Sequence, residues 1–450
     1  EESPLKIMMF PWFAMGHLTT FLHISNKLAQ RGGHRIFFAV PRNSIARVRH
    51  LNRFPELIEF LPLAVPHVEG LPAGAELTAD VPFPMIPLIL TAMDLTRPQI
   101  EDLISELRPN FVLFDFSHWL PGSAAKFGAK TVFYNTISAA AVGWLFRDLT
   151  ATVDDIMRPP PGYPSSGIKL TTQEACAVHD MNKTGPPGAG ELKFVERLEA
   201  CARDCDSMVF KSYMELESQY FDFLSKKYSK PVSPAGPVLP EAPKLDDADG
   251  KWSEWLDKFE SKSVIYCAFG SEARLRTIQF QELILGLELT GKPYLVAAKP
   301  PIGAETVEEA MPEGELSGRG VVHGGWVPQQ LMLSHPSTGC FVTHCGWGSL
   351  FEGILSECQL VLMPLFADQP INARLMGGEL GIGIEMEKGD EDGMFRKESV
   401  KKAVDSALDF AGGIGAKIRA NHAKWREVMM KDGFDDSYID DLILKFRALL

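Results

Sequence analysis

Between Gly325 and Asn372 the chain reads GWVPQQLMLSHPSTGCFVTHCGWGSLFEGILSECQLVLMPLFADQPIN, and no other stretch restricts its fold as tightly. Short apolar runs, CFVT and LVLMPL, alternate with turns that gather Trp, Gln, His, Ser, Glu and Asp at the runs' C-terminal ends. That is where open α/β sheets bind ligands. Cys340 to Val342 predicts a buried strand, and Gly346 and Gly348 predict a tight turn into a helix that begins near Ser349. The free N–H groups and positive dipole end of such a helix favour a phosphate, and the Ser349 hydroxyl and His344 imidazole add hydrogen-bond donors. One turn further, Glu352 reaches a sugar diol with both carboxylate oxygens. Upstream, Trp326 offers a flat apolar face for a base, and Gln329 a donor and acceptor pair for its edge. Base, ribose and phosphate thus each have a candidate partner.

The rest of the chain repeats the alternation. LKIMMFP, the turn WFAMGH and the helical TTFLHISNKLAQRGG lead into HRIFFAV, a βαβ unit that starts a parallel sheet at once. LIEFLPL, a helical region from Pro87 to Leu107, FVLFD, a helix and KTVFYN continue it. Periodicity weakens from Asp148 to Ala200, where RPPPGYP and KTGPPGAGE predict a mobile segment that shapes a substrate entrance. After DSMVFKS and a helix near MELESQYFDFLSKKY, the Pro-rich then acidic stretch Ser233 to Lys251 is the best boundary. A second α/β series follows, SVIYCAFGSE, QFQELILGLEL and PYLVAAKP, then the signature stretch and three helical segments. The expected fold class is α/β, with two facing Rossmann-like domains. The expected limits are 1–235 for an acceptor-binding domain, 236–251 for a linker, 252–430 for a nucleotide-binding domain and 431–450 for a closing helix.

Chemistry narrows the function. A net charge of −13 argues against a nucleic-acid partner, which needs a basic face. No apolar stretch reaches membrane-spanning length, and the opening EESPLKIMMFPWF has no signal-like segment, so no membrane insertion and a cytoplasmic location are expected. Seven scattered cysteines fit reduced thiols. Asp247-Ala248-Asp249, the only DxD-like string, falls in the expected linker, and no metal is expected. His17 follows the first strand and faces the cleft expected between the domains, and Asp115 closes FVLFD. A carboxylate there accepts the imidazole's other N–H and stabilises imidazolium, the arrangement of a general base with its orienting partner. Ser271, in CAFGSE, is a further hydroxyl expected beside His344 and Ser349 at the phosphate.

The signature stretch resembles, almost from end to end, that of plant secondary-product UDP-glycosyltransferases. FPWFAMGHLTTFLHISNKLA and FDFSHWLP resemble that family's catalytic segments. The resemblance implies the GT-B fold, with the closing helix packed back on the first domain, and an inverting displacement with His17 as base and Asp115 as partner. It implies that Trp326 stacks on uracil, that Gln329 and the Val327 backbone bind its edge, and that Glu352 holds the ribose. His344 and Ser349 then hold the diphosphate, and Trp347, Asp368 and Gln369 the donor sugar. Gly348 departs from the pattern, standing where many members carry Asn, and a backbone N–H or a water is expected to replace that contact. Gln369 points to UDP-glucose, with UDP-rhamnose and UDP-xylose as alternatives; the UDP-sugar is a co-substrate and no cofactor is expected.

PHVEGLPAGAELTADVP, HGGWVPQQ and ANHAKWREVM also resemble the branch that extends sugars already attached to flavonoids or anthocyanins. The expected acceptor is a small flavonoid glycoside, in a pocket built from Trp12, Phe13, Met15, Phe116, His118, Trp119, Tyr134 and Trp144. The chain is expected to act as a monomer. Two alternatives remain open: direct transfer to a flavonoid aglycone or terpenoid, and a catalytically silent protein that binds nucleotide sugars. An oxidoreductase is disfavoured, because the first turn lacks the glycine fingerprint of a dinucleotide site.

Overall fold

The computed structural model describes residues 3–148, 150–185, 192–238, 250–314, 316–409 and 412–450. Most of the expected linker, including Asp247-Ala248-Asp249, lies outside them.

Apolar runs of strand length assemble into two sheets. The first joins β1 (Lys6–Phe10), β2 (Arg35–Pro41), β3 (Ile58–Leu63), β4 (Phe111–Phe114), β5 (Lys130–Asn135), β6 (Ser207–Phe210) and β7 (Val232–Pro234) in the order 3-2-1-4-5-6-7. The second joins β8 (Val264–Ala268), β9 (Tyr294–Ala297), β10 (Gly320–His323), β11 (Thr338–Thr343), β12 (Gln359–Leu362) and β13 (Gly383–Glu385) in the order 10-9-8-11-12-13. All pairings between these strands are parallel. Parallel strands carry helices on both faces, which explains why their sequences run apolar without alternation. Strand order reverses between β1 and β4 and between β8 and β11, and a crevice opens beyond the strand ends at each such point.

Local signals place the ends of many elements. Gly33 closes the helix Met15–Gly32 in a left-handed conformation at φ 59°, its N–H bonded to the Ala29 carbonyl. The Pro87 to Leu107 region is two helices, Ile86–Asp94 and Arg97–Leu107. Pro98 sits in the first turn of the second, where its missing N–H costs no intrahelical bond. The helix in the signature stretch spans Trp347–Leu355, beginning two residues before the expected start. β10 and β13, short and only partly buried, were not anticipated. Nor were the helices Thr172–Lys183 and Phe194–Asp204 inside the weakly periodic segment. The first is set by a capping box, Thr171 accepting from the Glu174 N–H and Glu174 from the Thr171 N–H.

The helix Phe434–Leu449 crosses back to the first sheet, as the family resemblance implied. Its Phe446 ring stacks on Phe111 of β4 at 4.8 Å between centroids. Arg31 of the first helix holds Asp440 through two hydrogen bonds of 2.8 and 2.5 Å. Phe446 is 1% exposed, so Phe446→Ala leaves a cavity, and a loss of about 3–5 kcal/mol is expected in urea unfolding. A loss below about 1 kcal/mol would show that the helix contributes little to the first lobe.

Candidate active site

The loop leaving β1 turns tightly into the first helix: the Ala14 N–H bonds to the Trp12 carbonyl and the His17 N–H to the Ala14 carbonyl. His17 therefore lies in the first turn of the helix Met15–Gly32, not in the glycine turn before it. At the end of β4, Asp115 is 2% exposed. One oxygen of its carboxylate accepts the Trp12 backbone N–H at 2.6 Å, and the other lies 2.5 Å from His17 Nδ1. Thr136, just past β5, places its hydroxyl 3.3 Å from the same ring nitrogen. The His17 side chain is 23% exposed, and Phe116 stands edge-on to its ring at 5.6 Å. Burial disfavours the imidazolium. The Asp115 charge and hydrogen bond, with the more distant Glu272 and Asp368, outweigh it and raise the pKa above the usual imidazole value. With Nδ1–H held by a carboxylate, Nε2 is left as a proton acceptor.

The second lobe presents its own strand ends. His344 follows β11, its ring slotted between Gly270 and Gly346: a Cβ on Gly346 would lie 2.5 Å from the imidazole and would displace the ring. Burial, partly offset by a hydrogen bond to the Ala268 backbone, pushes His344 down to about 4, a neutral donor rather than a cation. Gln329 donates through Nε2 to Glu352 at 2.8 Å and lies 3.4 Å from the Ser349 hydroxyl. Burial raises the Glu352 pKa, against Gln329 and Lys211, which lower it. Val327 is buried beside Trp326, whose indole is 70% exposed and open to stacking. Ser271 is exposed in the loop after β8. Gln369 accepts the Leu365 and Phe366 N–H groups at 2.9 and 3.2 Å, which leaves its amide N–H groups for other partners. Among the non-glycine residues with left-handed backbones are Cys345 at φ 65° and Ala367 at φ 56°. Each adjoins an expected donor contact, His344 or Asp368, and strain of this kind persists where surrounding bonds over-determine it.

Asn372 supplies such bonds. Its amide donates to the Cys345 carbonyl at 3.0 Å and to Asp368 at 2.7 Å, while its oxygen accepts the Ser138 hydroxyl of the first lobe at 2.6 Å. Burial raises the Asp368 pKa, against the hydrogen bond from Asn372 and the weaker pull of the His17 charge. Other bonds tie the lobes together. Thr78 donates to Glu272 at 2.7 Å, Tyr220 to Glu379 at 2.8 Å, and the Trp347 indole N–H to the Lys211 carbonyl at 2.7 Å. Glu174 of the weakly periodic segment pairs with Arg374 and Lys388 of the second lobe at 2.7 and 3.4 Å.

The expected acceptor residues divide. Trp12 and Phe116 are themselves buried and stack on each other at 5.0 Å, Phe116 standing edge-on to His17, while Met15 and His118 are half-buried. Phe13 is fully buried. Trp119 is also buried, its indole N–H bonded to Asp94 at 2.7 Å. Tyr134 and Trp144 have no exposed surface, packing on Phe21 and Tyr163. Trp347, expected at the donor sugar, is 3% exposed and turned toward the interface between lobes. Four neighbours of the site were not singled out in the sequence: Thr136, Lys211, Glu272 and Asn372. Thr136, Lys211 and Glu272 follow apolar runs, the one signal that marks them, and Asn372 lies inside the short helix Gln369–Ala373. Among the described residues no cluster of three or more His, Cys, Asp or Glu is placed to hold a metal, and no helix is long and apolar enough to cross a membrane.

Known proteins share the sequence and the fold of this chain. A family profile described as UDP-glucoronosyl and UDP-glucosyl transferase matches residues 309–404. The chain is 48% identical over 457 residues to cyanidin 3-O-galactoside 2''-O-xylosyltransferase of Actinidia chinensis var. chinensis, covering 99% of this chain and 98% of that relative. It is 45% identical over 459 residues to anthocyanidin 3-O-glucoside 2''-O-glucosyltransferase of Ipomoea nil, covering 100% and 99%. In three dimensions it matches the crystal structure of Glycyrrhiza uralensis UGT73P12 complexed with glycyrrhetinic acid 3-O-monoglucuronide. That match has a TM-score of 0.80 at 22% identity, covers 99% of this chain and 96% of that one, and speaks to the fold.

Ser138 both links the lobes and caps the helix Ala139–Leu145, accepting the Ala141 N–H at 3.0 Å. Ser138→Ala removes the cap and leaves the Asn372 oxygen short of a donor. The expected cost is about 1–3 kcal/mol in urea unfolding. A change under about 0.5 kcal/mol would mean that the link carries no load.

Proposed function

The chain belongs to the UDP-glycosyltransferase family, and on that premise we propose that it transfers glucose from UDP-glucose to the sugar of a flavonoid 3-O-glycoside, with His17 as general base. The UDP-sugar dependence follows from the family. The sugar, the acceptor and the residue roles are this proposal. The observation that carries it is the His17–Asp115 pair at the switch point of the first sheet, with Asp368 of the second lobe acting on the same imidazole.

In the proposed reaction the acceptor hydroxyl loses its proton to His17 Nε2 as its oxygen bonds to the anomeric carbon. The bond from that carbon to the UDP oxygen breaks on the opposite face, which inverts the centre. Asp115 stabilises the imidazolium, and neutral His344, the Ser349 hydroxyl and the N–H groups opening the helix Trp347–Leu355 stabilise the departing diphosphate. Glu352, with Gln329, holds the ribose, and Trp326 stacks on uracil. Asp368 and Gln369 bind the donor sugar. Trp12, Met15, Phe116 and His118 form the near wall of the acceptor site. Gln369 and the Ipomoea relative support glucose; the Actinidia relative, a xylosyltransferase, makes UDP-xylose the competitor to include.

The test is product mass after incubation with UDP-glucose, UDP-xylose or UDP-rhamnose against anthocyanidin and flavonol 3-O-glycosides and their aglycones. A disaccharide product with UDP-glucose is expected. A product from the aglycone alone overturns the acceptor assignment, and UDP binding with no product overturns the transferase reading.

His17→Ala is expected to lower kcat by about 10²–10⁴-fold with UDP affinity nearly unchanged. Wild-type turnover in that variant rules out His17 as the base. In the wild type, kcat/KM should rise with pH through the elevated His17 pKa, because only the neutral ring accepts a proton. Asp115→Asn removes the strongest raising interactions and leaves burial, so this acid limb moves to lower pH while the rate falls. A limb that stays in place contradicts the pairing.

A further inference from the structure

Lys211 is a basic residue that the proposed mechanism does not use. It follows β6 directly, closing the apolar run SMVF, and is only 4% exposed. Burial holds its pKa below the usual lysine value, and Glu352 and Asp435 only partly offset that effect. Among the described residues its ammonium has no hydrogen-bond or ion-pair partner, whereas its carbonyl accepts the Trp347 indole N–H at 2.7 Å. That bond anchors the lysine backbone against the first residue of the helix Trp347–Leu355. The side chain points to the same place: leaving aside Gly348's chain neighbours and its own helix backbone, the Lys211 ammonium is the nearest atom, at 3.9 Å, to the position a Cβ on Gly348 would take.

We infer that Lys211 binds the diphosphate of the nucleotide donor from the opposite lobe, taking the place left open where the family pattern has Asn and this chain has Gly348. The inference rests on the donor-site reading given above. Residue 348 lies in the first turn of a nine-residue helix whose N–H groups are free for an anion. A glycine there leaves room for a long cationic side chain arriving from β6, and the low-polarity surroundings strengthen its attraction to phosphate. An ammonium is also a different device from an amide. As the sugar–oxygen bond breaks and charge builds on UDP, Lys211 neutralises it without giving up its proton. Because the lysine belongs to the first lobe and the helix to the second, its contact with phosphate also couples donor binding to the position of the lobes.

The test compares UDP with uridine, which lacks the phosphates, by calorimetric titration of the full-length protein. Lys211→Met is expected to weaken UDP binding about ten- to hundredfold and to change uridine binding less than about twofold. Its kcat for transfer should fall at least as far. The bond to Trp347 runs through the backbone and survives the substitution. Since a buried, unpaired charge is removed, the melting temperature without ligand should rise by about 1–2 °C. Lys211→Gln keeps the length of the side chain without its charge and is expected to behave as Lys211→Met does. Gly348→Asn introduced into Lys211→Met should restore part of the UDP affinity. Equal losses for UDP and uridine, unchanged UDP affinity, or a lowered melting temperature with UDP affinity intact would each overturn the assignment. Wild-type protein that binds neither ligand overturns the donor-site reading and this inference with it. Tight wild-type UDP binding with no effect of the substitution overturns only the role of the lysine.

Discussion

A carboxylate taken almost wholly out of water must find donors for its lone pairs, and Asp115 finds one in the main chain and one in a side chain. The main-chain donor, Trp12, fixes the path of the chain leaving β1. The side-chain donor, His17, is held three residues inside the helix that this path begins. One buried charge therefore sets where the first helix starts, which way the imidazole faces and which of its nitrogens is left open. The same environment sets the imidazole's basicity, because burial alone would weaken it and the carboxylate reverses the sign. Position and proton affinity come from a single contact.

The second lobe solves a related problem with glycine and strain. His344 lies in a slot that a side chain at position 346 would fill, and the left-handed Cys345 next to it is held through its carbonyl by Asn372. Asn372 also grips Asp368 and receives the Ser138 hydroxyl from across the cleft. The shape of this turn thus depends on contact with the other lobe, as does the location of Lys211. The two strand-end crevices are parts of one site only while these cross-lobe bonds are made.

Much of the fold was legible because parallel strands buried on both faces leave unbroken apolar runs, as in IMMF, IFFAV, FVLF and CFVT. Asp115, His344, Ser349 and Glu352 were legible for the same reason, each standing at a fixed distance past such a run. What escaped had weaker local signals. The helices Thr172–Lys183 and Phe194–Asp204 are flanked by Pro-rich and Gly-rich sequence, and the first is defined as much by its capping box and its ties to Arg374 and Lys388 as by periodicity. Tyr134 and Trp144 read as pocket aromatics, yet they lie under the cleft floor, because an aromatic ring is equally suited to a wall or a core. Lys211 was out of reach: its significance lies in an approach to Gly348, which is distant in the chain.

The helix Phe434–Leu449 covers a strand formed from Phe111 and its neighbours, and the whole second lobe is threaded between them in sequence. During synthesis the first sheet must therefore wait, with one flank uncovered, until the last of these segments leaves the ribosome. Closing so long a loop is slow, and an early apolar flank is a target for chaperones in the interval. Although each sheet has a Rossmann-like order, the amino-terminal lobe is completed by a segment from the far end of the chain. An excised first lobe would expose the apolar face that this helix covers, Phe111 included, unless the helix were grafted onto it.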